Sequence, residues 1–398
     1  MIIGPAHIVT GGAEPRVIED GGVRIAGAHI AQVGPIGAIA AAARDETVWP
    51  AAGRLLLPGI VDAHAHLARH LARGLDDEIP WERYDRALAP EDVRWAALAA
   101  LIEALRHGIT TVCDLHRSGS FLDFSLSEVA DAARRLGVRV ATAYAADETD
   151  APADRRAAME ESIGLASELR RARQGRIQAL LGMRARTPAL LPELIEASRG
   201  APAPIPIHVE IQSSPCSFSG AWRQAETAPA SLWAHVERAG SSLWSRLDGV
   251  EALGVASPGA PLSIEPAAAW GSDAGPHAPP PFDSPTSRDR EQAARRHYER
   301  VFVSGARWAE RVFGEGLGVL EPGAPADLVL VDYHPATELD LRTFAAHLAV
   351  CVGRAPVSGV MVAGEIVLDH GKIVMLDEQE VSARARECAR RVWRRIES

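Results

Sequence analysis

"LPGIVDAHAHLARH", residues 57–70, is where the chain changes character. Before it, residues 1 to about 55 read as short strands with glycine turns: "HIVTGG", "GGVRIAG" and "HIAQVG". After it, strands alternate with helices. The stretch itself is an apolar run entered through Pro58-Gly59 that carries His64 and His66. In a strand, residues two apart share a face, so both imidazoles point the same way. The pair alone is weak evidence: 14 His in 398 residues give roughly 0.5 such pairs by chance. Its weight depends on whether the rest of the chain supplies further ligands.

The segment "EDVRWAALAALIEALRHG" is apolar at helical spacing and ends at Gly108, a C-cap residue. "ITTVCDLH" follows as a strand. "SLSEVADAARRLG" then reads as a capped helix, with Ser127 and Glu128 or Asp131 in its first turns. The alternation continues through strand "VRVATAYAAD", a helix over about 152–173, strand "IQALLGMR", helix "LLPELIEASRG" and strand "IPIHVEIQ". Strands "SLWAHVE" and "AAAWGSDAG" come next, and a long helix over about 286–313 closes the region. Repeated strand–helix units imply parallel strands, and seven or eight of them predict an α/β fold: a (β/α)8 TIM-like barrel over 56–316, distorted near strand 7. "LGVLEPGAPADLVLVDYHP" and "VSGVMVAGEIVLDHGKIV" return to strands and turns. Residues 1–55 and 317–376 are therefore expected to form one small β-sandwich domain, followed by a C-terminal helix over 377–398. The Pro-rich "GPHAPPPFDSPTS" reads as a loop over one barrel end.

Bulk composition excludes several classes. The formal net charge of -10 argues against nucleic acid or an anionic membrane as the main partner. There is neither an apolar run of membrane-spanning length nor the basic start of a signal peptide, so a cytoplasmic protein is expected. The 4 cysteines are scattered without a CxxC pair and read as small buried hydrophobes. Lys372 is the single lysine among 42 basic residues, so any mechanism built on a lysine amine would have to use it.

If the His64/His66 strand is barrel strand 1, both side chains reach the C-terminal mouth, where such enzymes keep their chemistry. Two neutral imidazoles suit Zn, Fe, Mn or Ni and call for further ligands from other strands. His208, His235 and Asp273 each fall at a predicted strand end. Singly, each has an ordinary reading: a hydrogen-bonded core histidine, or a turn aspartate after Gly-Ser. A buried carboxylate within "GSDAG" is costly without a cation, and the succession His-x-His, His, His, Asp weighs more than its parts.

"PGIVDAHAHL", followed by His208, His235 and Asp273, resembles the amidohydrolase superfamily, in its deaminase and aminohydrolase branch. "EPGAPADLVLVD" is similar to that family's return into its β-domain. A closer likeness, to SsnA-like aminohydrolases, rests on "ITTVCDLHRSGSFLDFSLSEVADAARRLGVRVATAYAADETD" and "HLAVCVGRAPVSGVMVAGEIVLDHGKIVMLDEQEV". The resemblance implies one divalent metal, Zn or Fe, bound by His64, His66, His208 and Asp273. His235 would orient or polarise the attacked group, and Asp273 would relay a proton from water to a leaving nitrogen. The implied substrate is a small cytosolic molecule with a non-peptide C–N bond. A homodimer is compatible with the amphipathic helices, though nothing specifies it. Strand 4 contains no lysine, which excludes a lysine-bridged binuclear site.

The departures fall at the mouth. The branch places a glutamate three residues after the strand-5 histidine; here that position is Ile211 and the nearest acid is Glu210. In a regular strand Glu210 shares the inward face with His208 and reaches the site; otherwise it is a structural acid and the proton shuttle is lost. Arg184 stands where many relatives end strand 4 in histidine, and Arg184 or Arg186 could pair with an acidic substrate group. The strand-7 segment is short, and "DLHRSG" keeps only His116. His70 and His277 could line the mouth. Trp233 and Trp270 read as core, with pocket lining the alternative. These changes leave a rival to the enzyme: a non-catalytic paralogue that keeps the fold and acts as a binding or accessory protein.

Overall fold

The computed structural model describes residues 1–43, 45–73, 81–173, 175–212, 229–238, 252–256, 268–273, 290–314 and 316–397. His277, Cys216, the Pro-rich loop and most of the short strand-7 segment lie outside the described residues. Two compact units emerge. One comprises Met1–Val61, Ala104–Thr111 and His277–Met375; the other comprises Asp62–Glu103, Val112–Pro276 and Leu376–Ser398.

The first unit is β-rich and draws on both ends of the sequence. Leu55–Pro58 pairs in parallel with Ile2–Val9 and antiparallel with Leu328–Val331, so early and late strands interleave in one nine-stranded sheet. Ile3, Ile8, Val23, Ile30, Leu56, Leu328, Leu330 and Met361 form its core. Burying such side chains contributes roughly 1.5–3 kcal/mol each before the entropic cost of ordering them. The lone lysine, Lys372, is exposed in this unit. The helical run Arg290–Phe313 includes a π-helical stretch at Glu299–Ser304. It is followed at once by Gly305, where a Cβ would come within 3.1 Å of Val61 Cβ.

The second fold element is the parallel barrel. Its strands are, in order, Ile60–Ala65, Ile109–His116, Arg139–Asp147, Leu181–Ala185, Ile207–Ile211, Ser231–Ala234, Ala252–Ala256 and Ala269–Trp270, hereafter barrel strands 1 to 8, each beside the next in the sheet. Strands 2, 3, 4 and 5 are buried at every position, as expected of strands covered on both faces. The single strand expected over "IQALLGMR" is divided: Ile177–Ala179 and Leu181–Ala185 both pair with strand 3. A bridge between Ala65 and Asp273 joins strand 1 to the end of strand 8.

One expected cap is corrected. The helix starts at Ser125, so Ser127 and Glu128 lie in its first turn as expected, but no side chain of its own caps it. Glu161, from the following helix Pro152–Arg171, accepts hydrogen bonds from the backbone N–H groups of Phe124 and Leu126, both at 3.0 Å. Gly137 ends this helix at φ 74°, a left-handed C-cap open to glycine at little cost. The C-terminal helix, Glu378–Glu397, groups with the barrel unit and buries Val381, Ala385, Cys388, Val392 and Ile396 at helical spacing. Cys113 and Cys388 are buried, but Cys351 is exposed, contrary to its reading as a core residue, because it follows the short helix Phe344–Val350 at a surface turn. Among the described residues no helix is long and apolar enough to cross a membrane.

Candidate metal centre

The motif that opened the sequence sits where strand 1 meets strand 8. Asp273 N–H donates to His64 O at 3.0 Å, and His66 N–H donates to Asp273 O at 2.8 Å. Asp62, fully buried two residues before His64, accepts from Ser272 N at 3.0 Å and from Ser272 Oγ at 2.5 Å. Burial pushes its pKa up to about 7 against those hydrogen bonds. Gly271 is required here, since a Cβ would stand 2.9 Å from His64 Cβ. Sequence reasoning passed over Asp62 and Ser272; the legible signal was an acid on the same strand face as two inward histidines.

Both histidines project inward, as the two-residue spacing predicts. His66 Nδ1 lies 2.6 Å from Leu115 O. A carbonyl only accepts, so Nδ1 carries a proton, and the tautomer this selects for a neutral ring leaves the lone pair on Nε2. His64 Nδ1 lies 2.9 Å from His208 Nε2. The Nε2 atoms of His64 and His66 are buried and have no hydrogen-bond partner. They stand 3.9 and 3.6 Å from Asp273 Oδ1, and His235 Nε2 stands 3.6 Å from the same oxygen. His235 and Asp273 adopt left-handed backbones, φ 60° and 59°, which cost energy for residues with a Cβ. Burial, then the surrounding imidazoles, holds the His64 pKa well below the usual histidine range. Burial, followed by His66, takes His208 down to about 3.

Glu210 completes the group. Strand 5 is regular through Ile211, with Arg184 paired to Glu210 in register, so the inward-facing alternative holds. Its Oε1 lies 3.7 Å from His66 Nε2 and 3.8 Å from His235 Nε2, while Oε2 lies 3.3 Å from Arg184 Nε. Burial pushes this carboxyl up, but the His66 ring, in the form that is protonated on both nitrogens, and the guanidiniums of Arg69 and Arg184 outweigh it and hold it well below the carboxylate range. Behind it, Asp85 lies 3.5 Å from Arg69 and 3.6 Å from Arg184, and Arg69 stacks 4.4 Å over Trp81.

The donor set fits a transition metal on physical grounds. Two ligands each about 2.1 Å from one ion stand roughly 3 to 4.2 Å apart, the spacing of these nitrogens and oxygens and too long for hydrogen bonds. Lone-pair nitrogens buried without partners are otherwise expensive. The other candidates are placed elsewhere. His116 is buried beside Ser118 Oγ at 3.1 Å, and burial takes its pKa to about 3. His70 is 3.9 Å from Glu103. Arg186 is exposed, its backbone N–H on Glu148. Trp233 and Trp270 are 1% exposed and belong to the core.

An eight-stranded parallel barrel that gathers buried imidazoles and carboxylates at the carboxyl ends of its strands has the build of a barrel hydrolase. Comparison with known proteins agrees: residues 55–215 match the model of the Amidohydrolase family. Over 99% of both chains, the sequence is 25% identical to a 5-methylthioadenosine/S-adenosylhomocysteine deaminase of Pelotomaculum thermopropionicum. It is 26% identical to the enzyme of the same name from Natronomonas pharaonis, over 92% of this chain and 93% of that one. Among solved structures, a triazine hydrolase variant superposes with a TM-score of 0.77 at 19% identity, covering 98% of this chain and 99% of that one. An adenosine deaminase from Xanthomonas campestris with bound zinc gives 0.74 at 20% identity, covering 99% and 98%. The match to the Amidohydrolase family thus covers residues 55–215, and the likeness in fold to these solved structures runs the length of the chain.

Proposed function

We propose that the protein is a metal-dependent hydrolase that breaks a non-peptide C–N bond of a small molecule, by deamination or by ring opening. The observation that carries this reading is the pair of bare Nε2 atoms on His64 and His66, facing Asp273 Oδ1 at 3.9 and 3.6 Å. In this reading His64, His66 and Asp273 hold the metal, and His208 joins the same centre through His64 Nδ1. The ion, Zn(II) in preference to Fe(II), would supply Lewis acidity and bring a water near neutral pKa. The preference follows the zinc in the adenosine deaminase structure of the same fold.

The chain's own groups then divide the work. The Asp273 carboxylate is 33% exposed, against 2–5% for His64, His66, Glu210 and His235. It is therefore the group able to reach an incoming water, take its proton on a carboxylate oxygen and return it to the leaving nitrogen. His235, 3.6 Å from that oxygen, polarises the atom under attack. Relatives matched over nearly their whole length carry a nucleoside deaminase name, which makes aminopurine nucleosides the first class to assay.

The test joins two measurements. Elemental mass spectrometry should find about one transition metal per wild-type chain and none in His64→Ala/His66→Ala purified identically. Ammonia release should be screened over methylthioadenosine, adenosine, S-adenosylhomocysteine and amino-s-triazines, with activity in the metal-loaded wild type and background in the double variant. A wild type that stays metal-free after reconstitution sinks the reading. Full metal without ammonia release or ring opening on any C–N substrate would favour the non-catalytic rival.

A further inference from the structure

The β-rich unit holds a second group of side chains able to move a proton. His347, on the short helix Phe344–Val350, is 8% exposed. Its Nε2 lies 3.2 Å from Glu338 O and 3.4 Å from Thr337 Oγ1. A carbonyl only accepts, so the neutral ring carries its proton on Nε2 and keeps a lone pair on Nδ1. The Tyr333 hydroxyl donates to that nitrogen at 2.5 Å. The same hydroxyl meets the thiol of Cys351. Burial, then this contact, pushes the phenol up to about 12, so Tyr333 stays protonated. Thiol, phenol and imidazole thus stand in the order in which a proton leaving sulfur would travel.

Cys351 is also exposed, and with His347 it lines an open cavity of about 700 Å³. Ala294, Ala345 and Val350 give the cavity an apolar wall, and Glu291 and Arg342 bring one charge of each sign to it. Each charge faces a neighbour on its own segment, Glu291 with Arg295 and Arg342 with Asp340, both at 3.3 Å. Such exposed pairs are weak enough to be exchanged for a ligand's charges. A sulfur nucleophile, a path for its proton and a space with both charges meet at this one place.

We propose that Cys351 is a modification site that takes a small disulfide of an amino-acid thiol, with Tyr333 and His347 as the relay for its proton. Sγ attacks one sulfur of the disulfide, so that a new S–S bond forms as the old one breaks. The thiol proton passes to the Tyr333 oxygen while the Tyr333 proton passes to His347 Nδ1, and the departing thiolate is protonated in turn from the same line. Cys351 is oxidised to the disulfide, and one half of the added molecule is reduced to a thiol. The half that stays is a zwitterion, matched by Arg342 and Glu291. None of these residues is a proposed metal donor, so the site stands or falls apart from the metal-dependent reading.

The test follows adduct formation on the full, reduced chain by intact mass and locates the adduct by peptide mapping. The probes are cystine and the uncharged hydroxyethyl disulfide. Wild type is expected to gain one half-cystine on Cys351, about fivefold faster than the uncharged adduct forms. Arg342→Ala should slow the cystine reaction alone, down to the uncharged rate. Tyr333→Phe keeps the ring and removes the relay, and it should slow both reactions by about tenfold or more. A merely structural Tyr333 would give the opposite result, since a loosened helix end exposes the thiol and speeds both. His347→Gln should repeat the loss; should this buried change prevent folding, the nearly isosteric Tyr333→Phe decides alone. The proposal is overturned by an adduct elsewhere or none, by equal rates with the two disulfides, or by Tyr333→Phe reacting within about twofold of wild type or faster.

Discussion

At the scale of single residues, the region around His64 depends on what each buried polar atom is given. Asp62 accepts from His64 N–H at 3.3 Å and from both donors of Ser272. Asp62→Ala would strand three buried donors and should cost about 3 kcal/mol in urea unfolding, whereas Asp62→Asn should cost about 1 kcal/mol, because the Ser272 hydroxyl can turn to accept. Equal midpoints for the two variants would refute this account. His297, in the β-rich unit, offers a pH test. Burial, then the charge of Arg300, brings its pKa down to about 4. In the unfolded chain the ring titrates near 6.5, so between those values the unfolded state binds the extra proton and stability falls as the pH falls. Wild type should lose about 2 kcal/mol more than His297→Gln between pH 7 and pH 5. Parallel pH profiles would show that the ring is not held neutral. The inward pair His64/His66 was legible because a strand has a period of two. The His64–His208 hydrogen bond was not, because no spacing rule gives a tautomer.

At the scale of elements, the alternation of strands and helices was readable because parallel strands are continuously apolar and their helices periodic. What escaped depended on distant partners. The start of the helix Ser125–Leu136 is fixed by a carboxylate on the next helix, and a pattern search looks for a cap within a few residues. Glu161→Ala should therefore destabilise the protein by about 1–2 kcal/mol and speed amide exchange at Leu126, while leaving metal content at the wild-type level. A loss of metal in that variant would tie this helix to the centre in a way its contacts do not. The division of the strand expected over "IQALLGMR" was equally hidden, because its signal is in the pairing with strand 3 and its own hydrophobicity is unbroken. The position of Glu210 could be reduced to two alternatives from sequence, and the regularity of strand 5 decides between them.

At the scale of the whole molecule, a ligand that binds only the folded chain raises its stability by mass action. Free Zn(II) at about 100 times its dissociation constant should add about 2.7 kcal/mol and raise the melting temperature of the metal-free protein. An unmoved transition would contradict a site made only in the folded state. The barrel places this effect at one joint. Asp273 supplies the backbone groups that tie strand 8 to strand 1 and the carboxylate that faces the histidines, and its neighbour Ser272 meets Asp62 across 210 residues of chain. Contacts so remote in sequence are among the last to be gained during folding, because the intervening loop must first be closed. If the histidines and the aspartate hold an ion as proposed, they form a chelate only when the first and last staves of the barrel meet, and capture of the ion would mark a chain that has finished folding.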